Sequence, residues 1–336
     1  MLWYEYNNKS VTLSTRIRLA RNIDGIPFPS KLSLTELKNT NRRICDAIKD
    51  ADIGLNLREI EMDSLGDLES FAMVERHCIS PKFASKRDGR ILLLSDDESV
   101  SIMIGEEDHI RIQVLKSGEA LKEAYALCDR IDTAISKKLK FAFSEKFGFL
   151  TECPTNLGTG LRASVMLHLP MLEANGELRK IAELTSKLGL TFRGFYGEGS
   201  DSKSGIYQLS NQVTLGVSEE TVLESLHNVA LQITELEQKA LNKVDKQALT
   251  DSVCRTFGVL KYARRLNTDE MMTYVTKIMA GLRAGVITLP ETLSLMKIFI
   301  ELQPAMIKRI KGEISPNERD VFRAESIRNI FKNIEI

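Results

Sequence analysis

The hydrophobic period of this chain changes for good at Ser218. Before it, segments of period two, such as Leu13-Thr15-Ile17-Leu19 and Ala163-Val165-Leu167-Leu169, alternate with amphipathic helical stretches. After it, apolar residues recur only every three or four positions, punctuated by Pro290, Pro304 and Pro316. Period two marks strands and period 3.6 marks helices. Strands confined to the first part and helices filling the second predict an α+β domain followed by a separate all-helical one. A length of 336 residues suits about two domains. The boundary falls near residue 240, after the first long helix, which gives units 1–240 and 241–336.

Strands are expected at 11–21, at 91–95, on both sides of Gly105, at 161–169, and twice between 190 and 216. Helices are expected at 33–50, 67–79, 119–143, 175–189, 219–242, 245–264, 268–284, 290–302 and 316–334. The first opens on Ser33 with Glu36 three residues on, a capping box, and offers Leu34, Leu37, Ile44, Ala47 and Ile48 as its buried stripe. The last opens on Ser315, with Pro316 at N1 and Glu318 at N3. Its Arg319 and Arg323 share a face with Asp320 beside them, which by itself reads as a solvated surface.

Whole-chain composition excludes several function classes. Lys+Arg and Asp+Glu number 46 each, so no global field points to nucleic acid or membrane. No apolar run reaches the length of a membrane span. Met1-Leu-Trp-Tyr-Glu-Tyr lacks the basic and apolar regions of a signal peptide. Cys45, Cys78, Cys128, Cys153 and Cys254 form no CxxC pair, which argues against a zinc site or disulfide framework and fits a reducing cytoplasm.

Four places carry chemistry. Ser14, Arg16 and Arg18 project from one side of the first strand. The two arginines stand about 7 Å apart and suit neighbouring phosphates of a polyphosphate, or else protect an edge strand. In Gly105-Glu106-Glu107-Asp108-His109-Ile110-Arg111, a strand starting near Glu107 puts Glu107, His109 and Arg111 on one face. They would span roughly 13 Å, a clamp with a carboxylate end for a cation and an arginine end for an anion. An exposed acidic turn is the other reading. Cys153 sits in a loop of backbone amides near Arg162, a setting that lowers a thiol pKa, or is a small residue at a turn. Arg193 and Glu198 border a glycine-rich loop, which is either a lid over a ligand or a plain solvated hairpin. His77, ending the 67–79 segment, is a structural hydrogen-bonder or a ligand.

Arg16, Arg18, Arg111, Arg162 and Arg193 together could neutralise a nucleoside triphosphate, yet neither a P-loop nor protein-kinase motifs are present. STRIRLARN (14–22), GEEDHIRI (105–112), CPTNLGTGLRASV (153–165) and RGFYGEGS (193–200) resemble, in order, the motifs of the guanidino (phosphagen) kinase superfamily. Arg319-Asp320-Val321-Phe322-Arg323-Ala324 resembles the RDxxRA phosphoarginine-binding motif of its bacterial protein arginine kinase branch, the McsB type. Two residues depart from the pattern: Gly105 stands where many relatives have Asn, and Met166 where small-molecule guanidino kinases have His.

The resemblance implies a mainly antiparallel sheet flanked by helices, an added helical C-terminal region, and no N-terminal helical domain of the creatine kinase kind. It implies ATP-dependent phosphorylation of protein arginine, with Mg2+ held by ATP oxygens and water and at most touched through water by Glu106. Glu107 would be the principal catalytic carboxylate, Glu198 the second clamp, and Cys153 a neighbour of the guanidinium. Arg111, Arg162 and Arg193 would stabilise the transferring phosphoryl group. ATP would contact Ser14, Thr15, Arg16, Ile17, Arg18, His77, Arg111, Arg162, Ala163, Ser164, Val165, Met166, Arg193, Gly194, Phe195, Tyr196, Gly197 and Glu198, with His77 and Met166 bordering adenine or ribose. Arg319, Asp320, Arg323 and Ala324 would bind phosphoarginine as an allosteric signal. The implied setting is a cytoplasmic stress response: a homodimer with a zinc-containing activator, a heat-shock repressor and a Clp-type protease as partners. A kinase for a small free guanidine and a catalytically silent phosphoarginine-binding module are the alternatives.

Overall fold

The computed structural model describes residues 2–5, 9–194 and 204–335. Its strands are β1 Thr12–Arg21, β2 Leu57–Glu61, β3 Ile91–Ser95, β4 Val100–Ile104, β5 Ile110–Ser117, β6 Phe143–Ser144, β7 Gly148–Phe149, β8 Leu161–His168, β9 Leu190–Gly194 and β10 Ile206–Asn211. Its helices are α1 Leu34–Lys49, α2 Asp67–Glu75, α3 Pro81–Ser85, α4 Leu121–Ser136, α5 Pro170–Ala174, α6 Leu178–Lys187, α7 Glu219–Asn242, α8 Lys246–Tyr262, α9 Thr268–Arg283, α10 Leu295–Glu301, α11 Pro304–Lys311 and α12 Pro316–Phe331. Eight strands form one sheet in the order β2-β3-β4-β5-β1-β8-β10-β9. Every neighbouring pair in it is antiparallel.

Alternation along the central strands divides the sheet into two unlike faces. Ile17 and Leu19 of β1, Ile112 and Val114 of β5, Ala163 and Val165 of β8 and Leu209 of β10 share one apolar core. Ile44 and Ile48 of α1, Ala124 and Ile131 of α4, and Leu226 and Ala230 of α7 close over it. The opposite face carries Arg16, Arg18, Arg111, Gln113, Arg162, Ser164 and Gln208, and it forms the floor of an open cleft. A second core joins the helices after α7 to Trp3, Tyr4, Leu115, Met166 and Ile206. The helical region therefore shares packing with one end of the polar face. Leu13, expected beside Ile17 and Leu19, belongs to this second cluster, because the β1–β8 register shifts between Thr12 and Ser14 and such a bulge re-aims side chains.

Several elements differ from expectation for local reasons. The capping box at Ser33 and Glu36 forms, but the buried stripe of α1 is Asn41, Ile44, Cys45 and Ile48, and Leu34 is exposed. The face is rotated because Asn41 donates to the Gly89 carbonyl at 2.9 Å. Phe71 of α2 is also exposed. The helix expected over 119–143 stops at Ser136, and the following chain turns into the β6–β7 hairpin. The 175–189 segment is helical only from Leu178 to Lys187. The last expected helix starts at Pro316 with its capping box intact.

Candidate active site

Four strands, β1, β5, β8 and β9, carry the cationic side chains. On β1 and β8, Arg18 lies directly opposite Arg162; on β10 and β9, Gln208 lies directly opposite Arg193. Like charges facing each other across a ladder are destabilising unless something compensates them. Burial, and then the charges of Arg162, Arg111 and Arg193, pull Arg16 down to about 10. Burial and the same kind of repulsion push Arg18 well below the usual arginine range, and Arg162 is lowered by burial and by Arg193. Arg18 and Arg162 each keep a shielded Nε without a hydrogen-bond partner. Unpaired guanidinium donors repelling one another are what a polyanion relieves.

The carboxylates arrive on the turn between β4 and β5. The second strand starts at Ile110, not near Glu107, so residues 105–109 fold back instead of extending the row. Glu107 Oε2 consequently lies 3.4 Å from Arg111 Nη2, and the two ends of the expected 13 Å clamp are in contact. Glu106 is buried, accepting from the Ser80 hydroxyl and paired with Arg111. Glu107 is half-buried, with Lys82 Nζ 4.0 Å from Oε1. His109 leaves the row altogether: its Nδ1 accepts from the Ile23 amide at 3.1 Å, and burial pulls its pKa down to about 4. Gly105 holds the turn with φ of 82°, and a Cβ there would run into the Asn41 amide. The departure from Asn at this position goes with that contact.

Asp108 ties the acidic turn to the loop of Cys153. Its Oδ1 accepts from Asn22 Nδ2 at 2.7 Å and from the Glu152 amide at 2.9 Å. Asn22 in turn receives the His109 amide at 2.9 Å. Burial raises the Asp108 pKa against these hydrogen bonds. Cys153 caps the short turn Pro154–Asn156, its Sγ 3.0 Å from Thr155 Oγ1 and close enough to Arg162 to influence it electrostatically.

A cavity of about 370 Å³ opens over the arginine floor, within the usual size range of small-ligand sites. Arg16, Arg18, Arg111, Gln113, Gln208 and His77 line it. At one end it narrows to a slot between His77, Leu115, Ser164 and Met166. His77 has φ of 62°, rare outside glycine. Its carbonyl accepts from Gln113 Nε2 at 2.8 Å, and its ring stands 5.9 Å from Trp3. Burial, then Arg16, depresses its pKa to about 3. A second opening of about 430 Å³ lies beside Phe143 and Phe147, and its lining includes no arginine.

The side chains of Ile17, Ala163 and Val165 point into the opposite core, and Thr15 donates to the Gly118 carbonyl at 2.8 Å; only their backbones border the cleft. Ser14, Arg16, Arg18, His77, Arg111, Arg162, Ser164, Met166, Arg193 and Gly194 lie on or beside the cleft floor. Phe195, Tyr196, Gly197 and Glu198 lie outside the described residues. Ser80, Asp108, Asn22, Gln113, Gln208 and Glu75 join the site without having been singled out from sequence. Asn22 carried a signal there as the last residue of STRIRLARN, and Asp108 as part of GEEDHIRI.

Among the described residues no three His, Cys, Asp or Glu side chains gather to hold a metal, and both oxygens of Glu106 are engaged. A magnesium cage of protein ligands does not fit. On α12, Arg319 and Asp320 are half-buried, while Arg323 and Ala324 are fully buried. Arg323 donates to the Leu302 and Leu266 carbonyls at 2.9 and 2.7 Å and to Asp320 Oδ1 at 2.7 Å. The solvated-face reading of this helix therefore fails at Arg323. The shared face with Arg319 does not expose it, because the loops around Leu266 and Leu302 cover it.

Residues 39–240 match the family model of the ATP:guanido phosphotransferase C-terminal catalytic domain. Residues 246–336 match that of the protein-arginine kinase McsB C-terminal domain. The chain is 41% identical to a protein-arginine kinase of Halothermothrix orenii, over 95% of this chain and 93% of that one. It is 40% identical to one of Pelotomaculum thermopropionicum, over 97% and 94%. Among solved structures, the duplicated taurocyamine kinase of Schistosoma mansoni with bound transition state analog components superimposes with a TM-score of 0.62 at 26% identity, over 78% of this chain and 38% of that one. A lombricine kinase gives 0.60 at 26% identity, over 70% and 69%.

Proposed function

The chain belongs to the protein-arginine kinase family of ATP:guanido phosphotransferases, and from that premise we propose that it transfers the terminal phosphoryl group of ATP to arginine side chains of proteins. The observation that carries the reading is the meeting of five arginines with two carboxylates on one cleft floor, joined at Arg111. An arginine guanidinium titrates at about 12.5–13.8, so the acceptor arrives protonated and cannot attack. Glu107, half-exposed at the mouth, holds the cation, orients one nitrogen and takes its proton. The nitrogen–phosphorus bond forms as the bond from phosphorus to the ADP oxygen breaks, and the proton passes from Glu107 to water. Arg16 and Arg18 bind the phosphate chain, and Arg111, Arg162 and Arg193 neutralise the transferring group. Cys153 lies beside the acceptor, Glu106 fixes Arg111, and Glu198 supplies the second clamp. Mg2+, carried by the nucleotide, would supply further charge neutralisation.

We divide the chain into a catalytic part, 1–240, and a helical part, 241–336. In the helical part Arg319 and Asp320 are the groups that can reach a phosphoarginine. Glu75 of α2, which lines the nucleotide cavity, accepts from the Ala305 and Met306 amides of the helical part at 2.9 and 2.8 Å, which supports an allosteric role. By family resemblance the product marks proteins for a Clp-type protease and regulates a heat-shock repressor. The enzyme acts as a cytoplasmic homodimer with a zinc-containing activator in the stress response. No helix among the described residues is long and apolar enough to cross a membrane.

The test is incubation with ATP, Mg2+, a casein-like protein and free arginine in competition, read by mass spectrometry without acid treatment. Acid-labile phosphate on protein arginine, lost in Glu107→Ala, is the expected result. Preferential labelling of free arginine would favour the small-guanidine reading. Undiminished labelling by Glu107→Ala would overturn the mechanism, and no labelling at all would leave only the silent binding module.

A further inference from the structure

The opening of about 430 Å³ beside the β6–β7 hairpin is an apolar groove next to the loop of Cys153. Phe143, Phe147, Gly158, Thr159 and Leu215 are in its lining. Phe143, Phe147 and Leu215 are exposed, and exposed apolar side chains gathered in one place mark a surface that receives something. The groove is stiff before anything enters it. Arg21, fully buried, stands over the Phe149 ring at 3.6 Å and donates to the Thr159 carbonyl at 2.9 Å, so one side chain ties the hairpin to the facing loop. Phe149 packs edge-on against Phe143 at 5.2 Å. Gly158 has φ of 109°, and a Cβ there would run into the Thr214 carbonyl; the chain before Leu215 is pressed against the same loop. A surface already ordered loses little entropy when it binds.

The groove is continuous with the acceptor end of the cleft. Phe149 and Gly158 form a bridge, each amide donating to the other's carbonyl, at 2.7 and 3.3 Å. Cys153 lies on the loop they close. Gly158 is five residues from Cys153, so the two stand at most about 18 Å apart. An extended polypeptide covers that span in about five residues. A protein acceptor brings chain on both sides of its arginine, and that chain must leave the cleft across the neighbouring surface. We propose that this groove docks the polypeptide substrate: a large apolar side chain within about five residues of the acceptor arginine packs against Phe143, Phe147 and Leu215 while the arginine reaches Glu107. This rests on the protein-arginine kinase reading and adds to it a preference in the sequence around the acceptor.

The experiment measures KM for peptides with a single arginine in a Gly/Ser background, in which one leucine is moved from five residues before the arginine to five after. At one position or more, leucine should lower KM roughly 10-fold relative to serine. Phe147→Ser in the full chain should remove that preference, with thermal unfolding as the check on folding; Leu215→Ser is the second variant should the first unfold. Equal KM for every peptide overturns the proposal, and so does a preference that survives in the folded variants. Sedimentation of the unaltered chain and Phe147→Ser decides against the other occupant: a fall in mass on substitution assigns the groove to a second copy of the chain and overturns substrate docking. No labelling of any peptide or of a casein-like protein defeats the kinase reading itself, a different failure from labelling without preference.

Discussion

Replacing Arg323 by alanine tests whether the arginine motif of α12 is a surface or a strut. The guanidinium is fully buried and is spent on three partners: the Leu302 carbonyl, the Leu266 carbonyl and Asp320. The Leu266 amide also donates to the Asp320 carbonyl at 3.1 Å, so this one turn of α12 grips the loop before α9 and the end of α10. Arg323→Ala orphans two main-chain acceptors at about 1–3 kcal/mol each and strands part of the Asp320 charge. Breaking a buried charge network in this way costs about 3–5 kcal/mol. At roughly 2 °C per kcal/mol for a long chain, the melting temperature should fall by about 6–10 °C. Arg319→Ala, at a half-buried site whose side chain shows no hydrogen bond, should cost under about 1 kcal/mol. Arg323→Lys should fall between them, since an ammonium on a flexible stem cannot reproduce the fork. Differential scanning calorimetry on the three variants reads this directly. Melting of Arg323→Ala within 1 °C of Arg319→Ala would refute the strut.

The remaining predictions concern the cleft and its control. Glu106→Gln should lower kcat about 10²-fold with a smaller change in KM for ATP, because Arg111 loses its main counter-charge and draws on Glu107; an unchanged kcat rejects a positioning role for Glu106. His109 is held at about 4 against about 6.5 in an unfolded chain. The folded state therefore binds fewer protons, and stability should drop as pH falls from about 6.5 to 4. His109→Asn keeps an acceptor for the Ile23 amide but does not titrate. Urea denaturation should show it losing up to about 3 kcal/mol less than the unaltered chain across that window, and parallel pH profiles would show that His109 does not contribute. Asp320→Ala should abolish activation by free phosphoarginine while basal protein labelling persists; retained activation excludes Asp320 from that site.

How far the sequence could be read depends on how far away each residue's partners lie. The polar and apolar sides of β1 follow from alternation alone, because Arg16, Arg18, Ile17 and Leu19 sit in one regular strand whose two neighbours repeat the pattern. The start of α12 follows because its cap is made within four residues. The acidic turn is not legible in local alternation because its geometry is set from outside. Asn22, 86 residues from Asp108 and 87 from His109, holds the chain in a turn where local alternation would extend a strand. The burial of Arg323 leaves no local pattern for the same reason, since the carbonyls that bury it lie 21 and 57 residues away. α12 has no marked apolar side to announce its inner face. Gln208 is the intermediate case. Alternation places it on the arginine side of β10, but only the contact with Arg16, 192 residues distant, fixes which end of its amide is left to donate. Short-range rules thus located the cationic floor, whereas the side chains that aim its charges were set by contacts too remote in sequence to leave a local pattern.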